Sequence, residues 1–254
     1  MLIRISLLRL LLLLLLLLLP TAQAEVFQQQ NGIKVGYEHL LDAKDNNPNL
    51  YSQSYLSFTN TTRASWGDFA AWLTLENPLD DNDNQQGNKA GATVKSWLKL
   101  DYNLGDTPFN LWLQSFTANN KNRTEENFYY GLSYDIQWQK LKGTMAIGAH
   151  YAWGDMDASQ QDFNGSSGYA AMVQLAYPVT QELLGKFYFE TQFDRSDEQV
   201  ATFLYRDSGY QAILGLDYQF LPQASASLAY KYRDAWGGSI HHGGELLFEL
   251  GYQF

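Results

Sequence analysis

Gly244–Phe254 reads GELLFELGYQF, and this stretch decides the fold. Leu246, Phe248, Leu250, Tyr252 and Phe254 alternate with Glu245, Leu247, Glu249, Gly251 and Gln253, so an extended chain carries one greasy face and one mostly polar face. A strand of this kind separates two media. A soluble β-sandwich would bury the greasy face between sheets and leave a terminal strand ending on Phe unexplained.

The same period of two recurs upstream. Alternation predicts twelve strands, at about 32–40, 50–59, 66–76, 92–104, 108–117, 126–138, 142–154, 167–177, 185–194, 208–220, 223–233 and 244–254, and no helical stretch among them. In FYYGLSYDIQW one face holds Phe128, Tyr130, Leu132, Tyr134, Ile136 and Trp138, and in YQAILGLDYQF it holds Tyr210, Ala212, Leu214, Leu216, Tyr218 and Phe220. Short turns such as Gly105–Thr107, Gln139–Leu141 and Leu221–Pro222 alternate with long polar loops, so every odd-numbered connection is longer than every even-numbered one. Short turns at one end and long loops at the other are the pattern of an outer-membrane meander. In lipid every backbone group needs a partner, so the sheet must close. The expected fold is therefore all-β: a transmembrane antiparallel up-and-down β-barrel of about twelve strands, with both termini periplasmic.

The other end of the chain supports that compartment. Arg4 and Arg9 precede a leucine run to Leu19, then Pro20 and TAQA, which predicts a signal peptide over 1–24, cleaved after Ala24, and a barrel domain over 25–254. The expected location is the bacterial outer membrane, reached by secretion through the inner membrane. With no Cys, disulfide stapling and thiol-lipidated anchoring are excluded. A formal net charge of −10 argues against nucleic acid as a partner.

Parity also sorts the inward set. Expected lumen charges include Lys34, Glu38, Lys95, Lys99, Asp101, Asp135, Lys186, Glu190, Asp194, Asp217, Lys231, Arg233, Glu245 and Glu249, together with Asp68 and Glu76. Acids outnumber bases in this set, which predicts a mild cation preference that fades with salt. Rings that break the outward pattern are more informative. Trp72, Trp97, Trp112, Phe116, Tyr55, Tyr129 and Tyr188 take inward parity, several beside charges. A ring beside charged groups can stack on a flat solute, and base stacking on an aromatic side chain contributes about 1–3 kcal/mol. The substrate-binding candidates are Tyr55, Asp68, Trp72, Glu76, Trp97, Trp112, Phe116 and Tyr129. Twelve strands suit a small polar solute, because about 8 strands are filled by side chains and 16–18 leave a wide channel.

Taken together, the leader, the twelve-strand meander and the ringed lumen resemble the nucleoside-specific channel-forming family, Tsx and its OmpK relatives. YLSFTNTTRASWGDFAAWLTLEN (Tyr55–Asn77) resembles that family's early hairpin, and GKFYFETQFD and LGYQF resemble its later strands. The resemblance implies passive uptake of nucleosides, with Tyr55, Trp72, Trp97 and Trp112 as candidate contacts, and no cofactor. Phe254 is the expected assembly signal for the barrel-assembly machinery, and outer-membrane lipid and lipopolysaccharide are the expected surroundings. Two other functions are open to such a barrel. An outer-membrane enzyme of phospholipase or lipid A-modifying type needs a His–Ser arrangement at the rim. The histidines His39, His150, His241 and His242 show no such run, and adjacent His241 and His242 point opposite ways on a strand, so no metal site is expected. A non-conducting structural or adhesive barrel could use the acidic loop Pro78–Asn84.

Overall fold

The computed structural model describes residues 25–42, 51–79, 91–237 and 239–254. The expected signal peptide and most of the Pro78–Asn84 loop lie outside the described residues. Twelve antiparallel strands form a closed barrel: β1 Val26–Leu40, β2 Gln53–Ala64, β3 Gly67–Glu76, β4 Thr93–Asn103, β5 Phe109–Asn120, β6 Arg123–Trp138, β7 Leu141–Met156, β8 Gln161–Pro178, β9 Leu183–Phe193, β10 Gly209–Leu221, β11 Ala224–Trp236 and β12 Ser239–Gln253. Each strand pairs with its chain neighbours. The seam closes where β12 pairs with β1, from Gly32 opposite Gln253 to Leu40 opposite Glu245. Beyond the last ladder pair, Phe254 N–H donates to Asn31 O at 2.9 Å, so the chain end is held into the sheet.

The outward register follows the alternation. Tyr130, Leu132, Leu214, Leu216, Phe248 and Leu250 are all exposed, and cross-strand partners such as Val35 and Leu250 share the outer surface. Asp217 and Glu249 point inward, where each meets a lysine. Large apolar residues exposed all round a closed barrel are the outer surface of a membrane-spanning sheet. Aromatic rings mark the two limits of this belt. Tyr151–Trp153, Tyr169–Phe193, Phe189–Tyr210 and Tyr210–Tyr232 form contacts at one limit, and Phe109–Tyr134 lies at the other with Trp138, Tyr218 and Phe220. Such girdles sit where headgroups meet hydrocarbon.

Two expectations are corrected. The alternation of loop lengths is only partly kept, because β5, β6, β7, β8, β11 and β12 run on until 121–122, 157–160 and 237–238 suffice to join them. The added lengths face outward with Thr124, Asp155, Asp162 and Asn164. Above the lipid belt the outer face becomes polar, so hydrophobic alternation vanishes while backbone pairing continues. The second correction is a helix, α1 (Asp197–Phe203), where none was expected. Ser196 caps it by accepting from Gln199 N–H, and Asp197 and Glu198 occupy the first turn, where acids favour a helix N-terminus. A helix of seven residues is too short to print a periodic signal.

One glycine is required by the backbone. At the β-bulge in β8 the inward set switches from Phe163 and Ser167 to Ala170 and Met172, with Gly168 at φ +64° between them. A Cβ there would collide with the Asp194 carbonyl. The bulge lets a polar extracellular-type hairpin and a lipid-facing strand share one chain segment.

The two faces of the wall predict two different costs. Leu214→Arg should destabilise the barrel by about 2–4 kcal/mol in denaturant unfolding from phospholipid vesicles. Ser227→Arg, opposite Asp217 on the inner face, should change stability far less. Equal losses from both would contradict the register.

Candidate functional site

The interior divides into a packed half and an open half. Inside β5–β8, Trp112 and Tyr129 stack at 5.9 Å with an interplanar angle of 4°, both fully buried, against Ala146, Ala170 and Met172. Above them a polar network fills the barrel. His150 lies 2.8 Å from Ser167 O and 2.9 Å from Asn127 Oδ1, and the Gln192 amide donates to both Asn127 and Tyr129. The segment 194–208 with α1 folds over this half. Ser196 N–H donates to Ser167 Oγ, Tyr205 OH donates to Glu125 Oε2 at 2.7 Å, and Arg195 donates to the Arg206 and Ala235 carbonyls while lying over the Tyr205 ring. Burial and the Glu125 charge push the Tyr205 hydroxyl well above the ordinary tyrosine range, so it remains a donor. Neither Trp112 nor Tyr129 is among the residues that line the cavity on the other side of the barrel.

The open half is a cavity of about 570 Å³ walled by β1–β5 and β8–β12. That volume lies within the range of about 300–1,000 Å³ typical for small-molecule sites. Its aromatic wall is built by cross-strand register: Trp72 on β3 lies opposite Trp97 on β4, which lies opposite Phe116 on β5. Trp72 and Trp97 stack at 6.4 Å and 13°, Phe116 meets Trp72 edge-on at 6.4 Å, and Tyr188 meets Trp97 edge-on at 6.3 Å. Directly opposed rings on one face are the strongest local pairs a sheet offers. Tyr188 is itself fixed, donating to Glu190 Oε2 at 2.6 Å.

Around the rings stand charges in pairs. Lys95 contacts Glu76 at 2.7 Å and Lys34 contacts Glu249 at 2.7 Å, with Tyr55 OH donating to the second Glu249 oxygen at 3.0 Å. Lys186 pairs with Asp217. Nearer the loop end, Lys231 lies 2.6 Å from Glu245 and 3.5 Å from Glu38, and Arg233 bonds Glu245. Hydroxyls of Ser57, Thr59, Thr61, Thr74 and Ser227 complete the wall.

Of the eight binding candidates, the structure gathers Tyr55, Trp72, Glu76, Trp97 and Phe116 around one cavity. Asp68 stands apart at the other end of β3, paired with Arg63 at 2.9 Å beside the 65–66 turn. Trp112 and Tyr129 point inward but into the packed half. The charges Lys95, Asp217, Lys231, Arg233 and Glu249 line the cavity, whereas Lys99 pairs with Asp101 at 2.8 Å near the turn end and Asp135 lies in the same region. The excess of acids is therefore outside the cavity.

Two wall residues escaped the candidate set. Tyr188 had the right parity and lies in the GKFYFETQFD stretch, but was not among the binding candidates. Trp236, buried at 3 % exposure, fell where a loop was expected, because Ala235 and Gly237 at positive φ break the alternation around it. Among the described residues no group of His, Asp and Glu is placed to hold a metal ion.

The sequence model of the nucleoside-specific channel-forming protein, Tsx, matches residues 37–254. The NanC porin structure superposes with a TM-score of 0.54 at 14% identity, covering 88% of this chain and 98% of that one. The KdgM porin gives 0.46 at 9% identity, covering 88% and 98%. An outer-membrane channel from Pseudomonas putida F1 gives 0.49 at 11% identity, covering 89% and 95%. The NanC superposition supports the barrel fold and nothing finer. No curated protein sequence matches the chain.

Proposed function

The chain belongs to the family of the nucleoside-specific channel-forming protein Tsx and is a passive channel of the bacterial outer membrane, and on that premise we propose that its solute is a nucleoside, met by the aromatic wall of the lumen cavity. The observation that carries this is the packed set of rings along one cavity wall, Trp72 and Tyr188 half-buried and Trp97 and Phe116 nearly buried beside them, with hydroxyls and paired charges on the remaining wall. A base has a flat face for the rings, and ribose hydroxyls can both donate to Glu76 or Glu249 and accept from Lys95 or Lys34. A transport site must also let go. Stacking of about 1–3 kcal/mol per base is enough to select without trapping.

In this reading Trp112 and Tyr129 are packing, and Asp68 is a turn-end ion pair. An enzymatic reading finds less support. His150 is fully buried, its ring nitrogens occupied by a backbone carbonyl and an amide oxygen instead of a serine hydroxyl. We also take the exposed ring of Phe254, on a strand end held by Asn31, as the signal read by the barrel-assembly machinery, and lipopolysaccharide and phospholipid as what covers the apolar belt.

Single-channel recording tests the solute. Replacing Trp72 and Trp97 by Ala should weaken block by a nucleoside about tenfold or more, with ionic conductance equal or larger. Trp112→Ala should instead lower stability, by about 3–5 kcal/mol for a buried Trp, and leave block unchanged. If the double variant is blocked as well as the parent, the rings pack and do not bind. For the terminal signal, deletion of Phe254 should slow assembly in cells while refolding in detergent proceeds as before. Normal assembly of the truncated chain would remove that role.

A further inference from the structure

The cavity's charges carry an inference about what the channel refuses, and it rests on the nucleoside reading above. Five cations line the cavity: Lys34, Lys95, Lys186, Lys231 and Arg233. Every one has a carboxylate within ion-pair distance. Lys34 has Glu249 at 2.7 Å, Lys95 has Glu76 at 2.7 Å, Lys186 has Asp217, and Lys231 and Arg233 share Glu38 and Glu245. Counted with the fully buried Glu245, the carboxylates match the cations in number, so the paired set has a formal charge of zero although it is dense in charged groups. The partners come from different strands: β1 with β12, β3 with β4, β9 with β10, and β11 with both β1 and β12. The links from Glu249 to Lys34 and from Glu38 to Lys231 and Arg233 depend on closure at the β1–β12 seam, and the others join consecutive strands.

We infer that these pairs set the specificity of the channel against phosphate esters: the carboxylates Glu249, Asp217, Glu76, Glu38 and Glu245 occupy the cations that would otherwise bind a phosphoryl group. A neutral nucleoside loses nothing here, because its hydroxyls can donate to a carboxylate and accept from an ammonium without breaking the pair. A nucleoside 5′-monophosphate brings about −1.5 to −2 charges and strong acceptor oxygens. To reach Lys34 or Lys186 it must come equally near Glu249 or Asp217. Either the two anions repel at close range, or the phosphoryl group displaces the carboxylate and leaves it in the wall without its cation. Lysines and arginines without such carboxylates would make the same cavity an oxyanion site. Discrimination between two ligands arises here from a built-in repulsive element, in addition to attraction for the accepted one.

The inference predicts a gain of binding from the loss of an acid. Glu249→Gln and Asp217→Asn keep size while freeing Lys34 and Lys186. Block by adenosine and by adenosine 5′-monophosphate is compared in planar bilayers, with reversal potential in a KCl gradient as a second readout. Parent channel should be blocked at least tenfold less well by the monophosphate than by adenosine. The double variant should gain about tenfold or more in block by the monophosphate, and its reversal potential should move toward anion preference. Adding Lys34→Met and Lys186→Met to that variant should cancel both gains, since the freed cations are then gone. Heat-modifiable mobility on gels reports whether each variant is folded, and either single acid substitution should show a smaller shift in the same direction. Equal block of the parent by both solutes would overturn the inference and leave the nucleoside site standing. An unshifted reversal potential in the folded double variant would overturn it as well. A parent that adenosine fails to block, with variants that still turn anion-selective and bind the monophosphate, would support the charge-compensation inference while removing the nucleoside reading.

Discussion

Backbone hydrogen bonding in a medium without water is the constraint on which the rest depends. Every N–H and C=O at membrane depth must be paired, and a sheet can meet that demand only by closing on itself. Here closure is made by β1 and β12, with Val35 opposite Leu250 outside and Gly36 opposite Glu249 inside. Once the sheet is closed, each strand has one face in lipid and one in the lumen, and the period of two assigns every side chain to one of them. The last strand therefore supplies both greasy belt residues and, through Glu245 and Glu249, two of the acids that hold the lumen cations.

Much of this was legible in the sequence because lipid imposes a strict pattern. Strand number, closure and the facing of Leu132, Leu214, Asp217 and Glu249 all follow from alternation. What alternation does not mark was missed. Above the belt the outer face of β6 to β8 turns polar, so 123–125 and 161–166 read as loop while the ladder continues. The Gly168 bulge reverses parity in β8 without any hydrophobic signature, and α1 is seven residues held by tertiary contacts. For the site, parity found the inward rings but could not tell which half of the barrel they enter. Trp72, Trp97 and Phe116 come together through inter-strand register, and Trp112, four residues before Phe116 on β5, stacks on Tyr129 in the packed half. Which inward residues meet is decided by strand stagger and by the 194–208 segment, neither of which appears in a one-strand pattern.

A lumen half filled and half open reconciles twelve strands with a small solute. The packed side stiffens the wall that carries Phe116 and Tyr188, and Tyr188 is held further by Glu190, itself reached by the Gln114 and Gln211 amides. Preorganised rings lose little freedom on meeting a ligand, so a weak contact can still select. The ion pairs add selectivity of another kind, because they are satisfied before any solute arrives. Ring wall and paired charges thus divide the task between recognising a flat, neutral, hydroxyl-rich solute and rejecting its charged relatives.

The most direct test of the central claim, a lipid-facing outer surface and a solute-contacting cavity on alternate residues of one strand, uses the natural absence of cysteine. Thr74→Cys lies on the cavity wall, and Leu73→Cys beside it lies on the outer surface. Treatment of the reconstituted channel with a charged, membrane-impermeant thiol reagent should modify position 74 and lower conductance, and adenosine should slow that reaction. Position 73 should react only with a lipid-soluble reagent and leave conductance unchanged. Modification of both positions from water at similar rates, or of position 74 with no effect of adenosine, would contradict the account.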